Sequence, residues 1–71
     1  MITVDAQGKN CPIPLIMTKR ALEGLPDNET LEIIIDNETS HNNVTRFLKD
    51  HGIHVVSEQQ GKIYRLFVNK T

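Results

Sequence analysis

Hydrophobic positions along the chain follow two periods, and the switches between them mark out short elements. Ile2 to Asp5 is short and partly β-branched and reads as a strand. The polar stretch Ala6-Gln7-Gly8-Lys9-Asn10 breaks it, with Gly8 the expected site of unusual backbone geometry. From Pro12 the period becomes helical: Ile13, Met17 and Ala21 recur every four residues, and Leu15 and Leu22 add a seven-residue spacing. Pro12 and Pro14 fit only the first turn of that helix, where backbone N–H groups have no intrahelical partner. Gly24 is the expected stop, and Pro26-Asp27-Asn28 is turn chemistry.

Leu31 to Ile35 reads as a strand with Leu31, Ile33 and Ile35 on one face, and Ile34 indicates partial cover on the other. Asp36-Asn37-Glu38 ends it, and Ser40 is the expected N-cap of a second helix. Val44, Phe47, Leu48 and His51 trace one side of that helix, and Gly52 closes it. His54 to Glu58 is a short strand, Gln60-Gly61 a tight turn, and Ile63 to Val68 a longer strand. In that last strand Tyr64, Leu66 and Val68 alternate with Ile63 and Phe67. The order is β-α-β-α-β-β. Two amphipathic helices need a sheet to cover, and right-handed crossover puts both on the same side. The expected fold is therefore α/β: one domain over residues 1–71, a two-layer sandwich with a mixed four-stranded sheet and both helices on one face. The other sheet face stays open to solvent or to a partner.

Composition narrows the setting. Hydrophobic residues are 38% and charged residues 24% of the chain, values of a folded globular domain near the lower size limit for an unstapled core. A single cysteine excludes an intrachain disulfide and points to a reducing compartment. The start MITVDAQGKN has neither the basic nor the apolar region of a signal peptide, and no apolar run reaches the roughly 20 residues of a membrane span. A cytoplasmic location follows, with no membrane partner. The net charge of −1, with both signs interleaved, gives no basic surplus, so direct nucleic-acid binding is not expected.

The chemistry concentrates in Asn10-Cys11-Pro12-Ile13-Pro14. If Pro12 opens the helix, Cys11 lies at or just before its N-cap, where free N–H groups and the helix dipole would stabilise a thiolate. Lys9 could add positive charge, and the two prolines would hold the local backbone. A nucleophile fits that description; so does a buried small hydrophobe, the commoner fate of an isolated cysteine. Both readings stand on spacing alone. No second cysteine is present for a dithiol or a thiolate zinc site, His41, His51 and His54 are scattered, and no phosphate-binding glycine loop occurs. No metal or cofactor is expected. Asp5 and Asp36 each follow a strand, and the simplest role for each is to accept turn or helix N-terminal hydrogen bonds, Asp5 also holding the loop that presents Cys11.

Val4-Asp5-Ala6-Gln7-Gly8-Lys9-Asn10-Cys11-Pro12-Ile13-Pro14, followed by Thr18-Lys19 and Ala21-Leu22, resembles the TusA/SirA family of sulfur-carrier proteins, whose hallmark is a Cys-Pro-x-Pro element opening the first helix. The resemblance runs through Leu31 to Asp36, and Asn42 to Leu48 resembles the YedF branch, whose members are expected to carry a second domain after this one and are linked to selenium metabolism. It implies the same fold and a cysteine, here Cys11, that carries sulfur as a persulfide, with Pro12 and Pro14 shaping the helix start and Asp5, Gly8 and Asp36 matching family positions. It also implies a cysteine desulfurase or other persulfide donor and a sulfur-acceptor protein as partners. That is a carrier rather than a stand-alone enzyme. Asn10 stands where relatives often have arginine, and Ile13 where the tRNA-thiolation member has glutamate. The competing reading is a regulatory or protein-interaction module in which Cys11 is structural or redox-sensitive.

Overall fold

A computed structural model describes residues 2–10, 12–26 and 28–69. Six elements follow the expected order: β1 (Ile2–Asp5), α1 (Ile13–Glu23), β2 (Thr30–Ile35), α2 (Glu38–Asp50), β3 (Val55–Gln60) and β4 (Ile63–Asn69). The strands form one mixed sheet in the order β1-β2-β4-β3. β1 runs parallel to β2, as a strand-helix-strand crossover requires, and β4 pairs antiparallel with both β2 and β3.

Register sorts the side chains. Leu31 lies opposite Ile2 and Val68, and Ile33 opposite Val4 and Leu66, so these six share one face by the two-residue pleat. Leu31, Ile33, Ile35, Leu66 and Val68 are fully buried there, beneath Val44 and Leu48 of α2 and Pro14 and Thr18 of α1. The alternation in β4 is thereby assigned: Leu66 and Val68 turn to the helices, Phe67 and Arg65 to the open face. On that open face Glu32 accepts from the Thr3 hydroxyl at 3.1 Å and has Arg65 Nε at 3.9 Å from its other oxygen. Polar cross-strand pairing of this kind suits a solvated sheet face.

Helix α1 departs from the expected stripe. Ile13 is exposed rather than core-facing, as is Ile16, and the innermost positions are Pro14 and Thr18. Small side chains on the inner face let α1 lie close to the sheet, and the Thr18 hydroxyl is satisfied by the Pro14 carbonyl at 2.8 Å. Gly24 ends the helix as expected but keeps a negative φ of −95°. In the following turn Glu29 N–H donates to the Pro26 carbonyl and Asn28 takes φ 67°, while Asp27 of that expected turn lies outside the described residues.

Helix α2 begins earlier than the sequence suggested. Its N-cap is Asn37, not Ser40: Asn37 Oδ1 accepts the Ser40 backbone N–H at 2.8 Å. Ser40 is instead buried in the first turn, and its hydroxyl has no hydrogen-bond partner among the described residues. Asn caps at least as well as Ser, and Glu38 immediately after it suits the positive end of the dipole. At the other end Gly52, at φ 69°, donates to the Lys49 carbonyl and Ile53 to the Leu48 carbonyl, a Schellman closure that carries Ile53 back onto the core. Strand β3 starts at Val55 and runs on to Gln60, so the turn to β4 is made by Gly61 and Lys62.

Candidate functional site

The loop from Ala6 to Asn10 joins β1 to the start of α1, and almost every residue in it is held by a specific bond. Ala6 is fully buried and its N–H donates to the Ile34 carbonyl at 2.8 Å, extending the parallel pairing one step beyond β1. Asp5 Oδ1 then accepts the Gln7 N–H at 3.0 Å, a short side-chain-to-backbone turn of the kind aspartate favours. Lys9 N–H returns to the Ala6 carbonyl at 3.3 Å. Gly8 reverses the chain at φ 76°, a left-handed conformation that glycine adopts without steric penalty.

Asp36, immediately after β2, is the anchor of this loop. Its Oδ2 accepts the Gly8 N–H at 2.7 Å, short enough for a charge-assisted bond. That bond, helped by the Asn37 side-chain amide, holds the Asp36 carboxyl below the ordinary aspartate value. Asn37 Nδ2 lies 3.3 Å from Asp36 Oδ1 and 3.4 Å from the Lys9 carbonyl. The parallel pairing of β1 and β2 puts the ends of both strands side by side, so residues far apart in sequence meet here.

On the far side of the loop, Ile13 N–H donates to the Asn10 carbonyl at 2.9 Å and Ile16 N–H to the Pro12 carbonyl at 3.1 Å. Pro12 is the N-cap of α1 and Pro14 its second residue, so the helix opens one residue later than Pro12. This corrects one expectation. Among the described residues, Pro12 and Pro14 have no N–H and that of Ile13 is already taken, so these three positions offer an incoming anion the helix dipole but no free donor. Cys11 itself lies outside the described residues. The structure thus brings Asp5, Gly8, Lys9 and Asp36 together in one bonded loop leading to it, with Pro12 and Pro14 following.

The surface beside this loop is apolar, then basic. Ile13 and Ile16 are each 45% exposed, an unusual cost for large aliphatic side chains in successive positions of one helix face. Arg20 continues that face one turn on and is exposed, whereas Lys19 leans across to α2, its ammonium 5.2 Å from the centre of the Phe47 ring. A shallow groove of about 560 Å³, lined by Lys19, Leu22, Phe47, His51 and Ile53 among others, lies at the C-terminal end of α1. That is about 15 Å along the helix from Pro12 at 1.5 Å per residue, whereas a smaller open depression of about 260 Å³, lined by Asp36, Asn37, Gln59 and Tyr64 among others, lies beside the residues that anchor the loop. His51 closes α2 through its Nδ1–H to the Phe47 carbonyl at 2.9 Å, and His41 stacks on Tyr64 with ring centres 4.3 Å apart.

The family described as sulfurtransferase TusA matches residues 2–70 of this sequence. The chain belongs to the TusA family. Among TusA-type relatives, a candidate sulfur carrier protein of Methanocaldococcus jannaschii is 35% identical over 71 residues, spanning 99% of this chain and 95% of that one. The candidate sulfur carrier protein YedF of Escherichia coli is 34% identical over 68 residues, covering 94% of this chain and 88% of YedF. The chain thus spans most of YedF, whereas it spans 38% of the candidate sulfur carrier protein YrkF of Bacillus subtilis, at 33% identity over 70 residues. The crystal structure of a SirA-like protein from Desulfitobacterium hafniense matches with a TM-score of 0.84 and 30% identity, over 96% of this chain and 95% of that one.

Asn37 is the site residue that sequence reasoning missed. It stood in the run Asp36-Asn37-Glu38, taken only as the end of a strand. An Asx residue three positions before a buried serine and one before an acidic residue is a helix-start signature that could have found it.

Proposed function

We propose that the protein is a sulfur carrier that holds sulfur as a persulfide on Cys11. The observation that carries the reading is the bonded loop: within a TusA-family chain, every residue from Asp5 to Asn10 makes a specific hydrogen bond, to β2, to Asp36 and Asn37 after it, to the start of α1 or within the loop, on the approach to the one cysteine. The names of the relatives, which describe sulfur carriers, agree with it.

The transfer follows from thiol exchange chemistry. The Cys11 thiolate attacks the terminal sulfur of a donor persulfide; the new sulfur–sulfur bond forms as the donor's own breaks, and the donor leaves as a thiolate. Nothing is oxidised or reduced overall, and the proton of the terminal sulfur stays with it or with solvent. The same step in reverse sense, with an acceptor's thiolate attacking, unloads the carrier. A cysteine desulfurase or another persulfide donor supplies the sulfur, and a sulfur-acceptor protein takes it, in the reducing cytoplasm where a lone thiol persists.

Each supporting residue has a role in this scheme. Asp36 and Asp5 hold the loop through Gly8 and Gln7, Gly8 supplies the reversal, Lys9 contributes charge and a fixed carbonyl, and Pro12 and Pro14 set the helix start. The dipole at that start favours a thiolate over a thiol, and a carrier needs only mild help of this kind, because a strongly stabilised thiolate is a poorer nucleophile. Ile13 and Ile16, exposed beside the loop, offer docking surface in place of a pocket.

The test is a relay. Protein loaded with labelled sulfur by a cysteine desulfurase is separated from the donor and mixed with an acceptor thiol protein. Movement of label, absent with Cys11→Ala, is the expected result. A Cys11 thiol that resists alkylation in the native protein would sink the carrier reading and favour the interaction module.

A further inference from the structure

We propose that the chain associates with a second copy of itself through strand β3, whose free edge pairs antiparallel about Ser57 and joins the two sheets into one. β3 lies at the end of the sheet and pairs with β4 alone among the described strands. The turn between them has two residues, and Gly61 at φ 61° supplies the positive φ that the first position of a type II′ turn requires. Gln60 and Ile63 close that turn as a hydrogen-bonded pair, and the alternation of an antiparallel ladder then fixes the rest. Gln60, Glu58 and Val56 direct their backbone N–H and C=O groups to β4. Val55, Ser57 and Gln59 direct theirs outward, away from the sheet.

Proteins usually blunt such an edge with proline, lysine, a bulge or a very short strand. β3 has none of these. It reads Val-Val-Ser-Glu-Gln-Gln, keeps an unbroken register with β4 over its six residues, and is exposed at every position but Val55. β1, the opposite edge, is only four residues long. The Ser57 hydroxyl is engaged by His41 Nε2 at 2.9 Å on the helix side of the sheet, so it does not cap the backbone edge.

The strand is also complementary to itself, and this selects a second copy as the occupant. Pairing about Ser57 sets Val55 opposite the partner's Gln59, Ser57 opposite the partner's Ser57, and Gln59 opposite the partner's Val55. All three outward-facing residues then form hydrogen-bonded pairs. Between them Val56, 50% exposed, lies against the stem of the partner's Glu58. A slip of two residues in one direction opposes two Glu58 carboxylates, the only charges on the strand, and loses a hydrogen-bonded pair. A slip of two in the other direction runs off the end of the strand. A slip of one sets outward-facing residues against inward-facing ones. The contact is smaller than a stable interface needs, so the dimer is reversible and forms at high protein concentration.

The experiment is sedimentation equilibrium of the whole chain up to about 1 mM, beside backbone hydrogen exchange at low and high concentration. The expected result is a mass that rises from one chain toward two. Exchange at the Val55, Ser57 and Gln59 N–H groups slows with concentration, while Val56 and Glu58, already bonded to β4, do not change. Ser57→Pro removes only an outward donor, which an edge strand tolerates, and weakens association at least about tenfold through the two bonds lost on the axis. Ser57→Ala loses the same bond to His41 but keeps the N–H, and associates as the unaltered chain does. Ser57→Lys keeps every N–H and sets two ammonium groups against each other; it gives the same weakening if proline unfolds the chain. A single-chain mass at every concentration overturns the proposal. So does a dimer whose formation leaves exchange at Val55, Ser57 and Gln59 unchanged, or one that Ser57→Pro and Ser57→Lys form as readily as Ser57→Ala.

Discussion

Replacing Gly8 and Gly24 by alanine, one at a time, makes the same chemical change at two positions where the structure predicts opposite signs. A Cβ at either position meets nothing within 4 Å, so neither variant clashes and the backbone alone decides. At Gly8, φ is 76°, where an L-residue loses about 1–2 kcal/mol relative to glycine. At Gly24, φ is −95°, which alanine adopts freely, and the reduced freedom of the unfolded chain stabilises by about 0.4–1 kcal/mol. The two variants therefore separate by about 1.5–3 kcal/mol, out of a total of roughly 4–10 kcal/mol for a chain of this length. Urea unfolding followed by circular dichroism measures it: with a slope near 1 kcal/mol per molar, the midpoints differ by about 1.5–3 M. Gly8→Ala also turns the N–H that Asp36 accepts, so it slows Cys11 alkylation, whereas Gly24→Ala leaves it unchanged. Equal midpoints for the two variants would refute the reasoning, because they would mean that Gly8 is not held in the left-handed region.

Other consequences follow from the same geometry. Leu48→Ala removes a fully buried side chain that anchors α2 to the sheet, while leaving the backbone carbonyl that closes the helix; a loss of about 2–5 kcal/mol in urea unfolding is expected, and a loss below about 1 kcal/mol would contradict the core assignment. Asp36 carries a depressed pKa, so its contribution is present above the ordinary aspartate value of 3.8 and is lost as pH falls through its lower folded value. Protection of the Gly8 N–H against hydrogen exchange, taken relative to the intrinsic rate at each pH, should accordingly fall in that acid range in the unaltered protein, and Asp36→Asn should abolish the pH step. Ile16→Lys, at an exposed position, should change stability by less than about 0.5 kcal/mol while weakening sulfur transfer from the donor; equal transfer rates would show that this helix face does not dock.

The elements themselves were legible because the hydrophobic period and the Gly and Pro breakers agreed. Leu31, Ile33 and Ile35 alternate where a strand lies, and the Pro-rich start and Gly24 bracket the first helix within a residue. What the pattern misread is the inner face of α1. Ile13 was counted as core because it is large and apolar, but Pro14 and Thr18 lie against the sheet and leave Ile13 outside. Which side of the helix faces the sheet is a tertiary fact: Pro14 and Thr18 are innermost, and Leu15, Met17, Ala21 and Leu22 pack against the core while partly exposed. The start of α2 was misplaced by three residues because Ser40 is a good cap in isolation, whereas only the fold shows Asn37 answering two elements at once. Gly8 and Asp5 could be read locally, since a turn states its own chemistry. The bond from Asp36 to Gly8 spans 28 residues and depends on β1 and β2 running parallel with their ends aligned, which no local signal encodes. The likeness of the Cys-Pro-x-Pro stretch identified the family, and the role of Cys11 that spacing left open is the part carried by the proposal.

The carrier account stands or falls on the sulfur atom itself. The direct measurement is the intact mass of the protein after incubation with a cysteine desulfurase and free cysteine, beside a Cys11→Ala control. The account predicts the gain of one sulfur, removed by a reductant, in the unaltered protein and none in the control. A readily alkylated Cys11 that gains no sulfur from any persulfide donor, or a gain that survives Cys11→Ala, would contradict it.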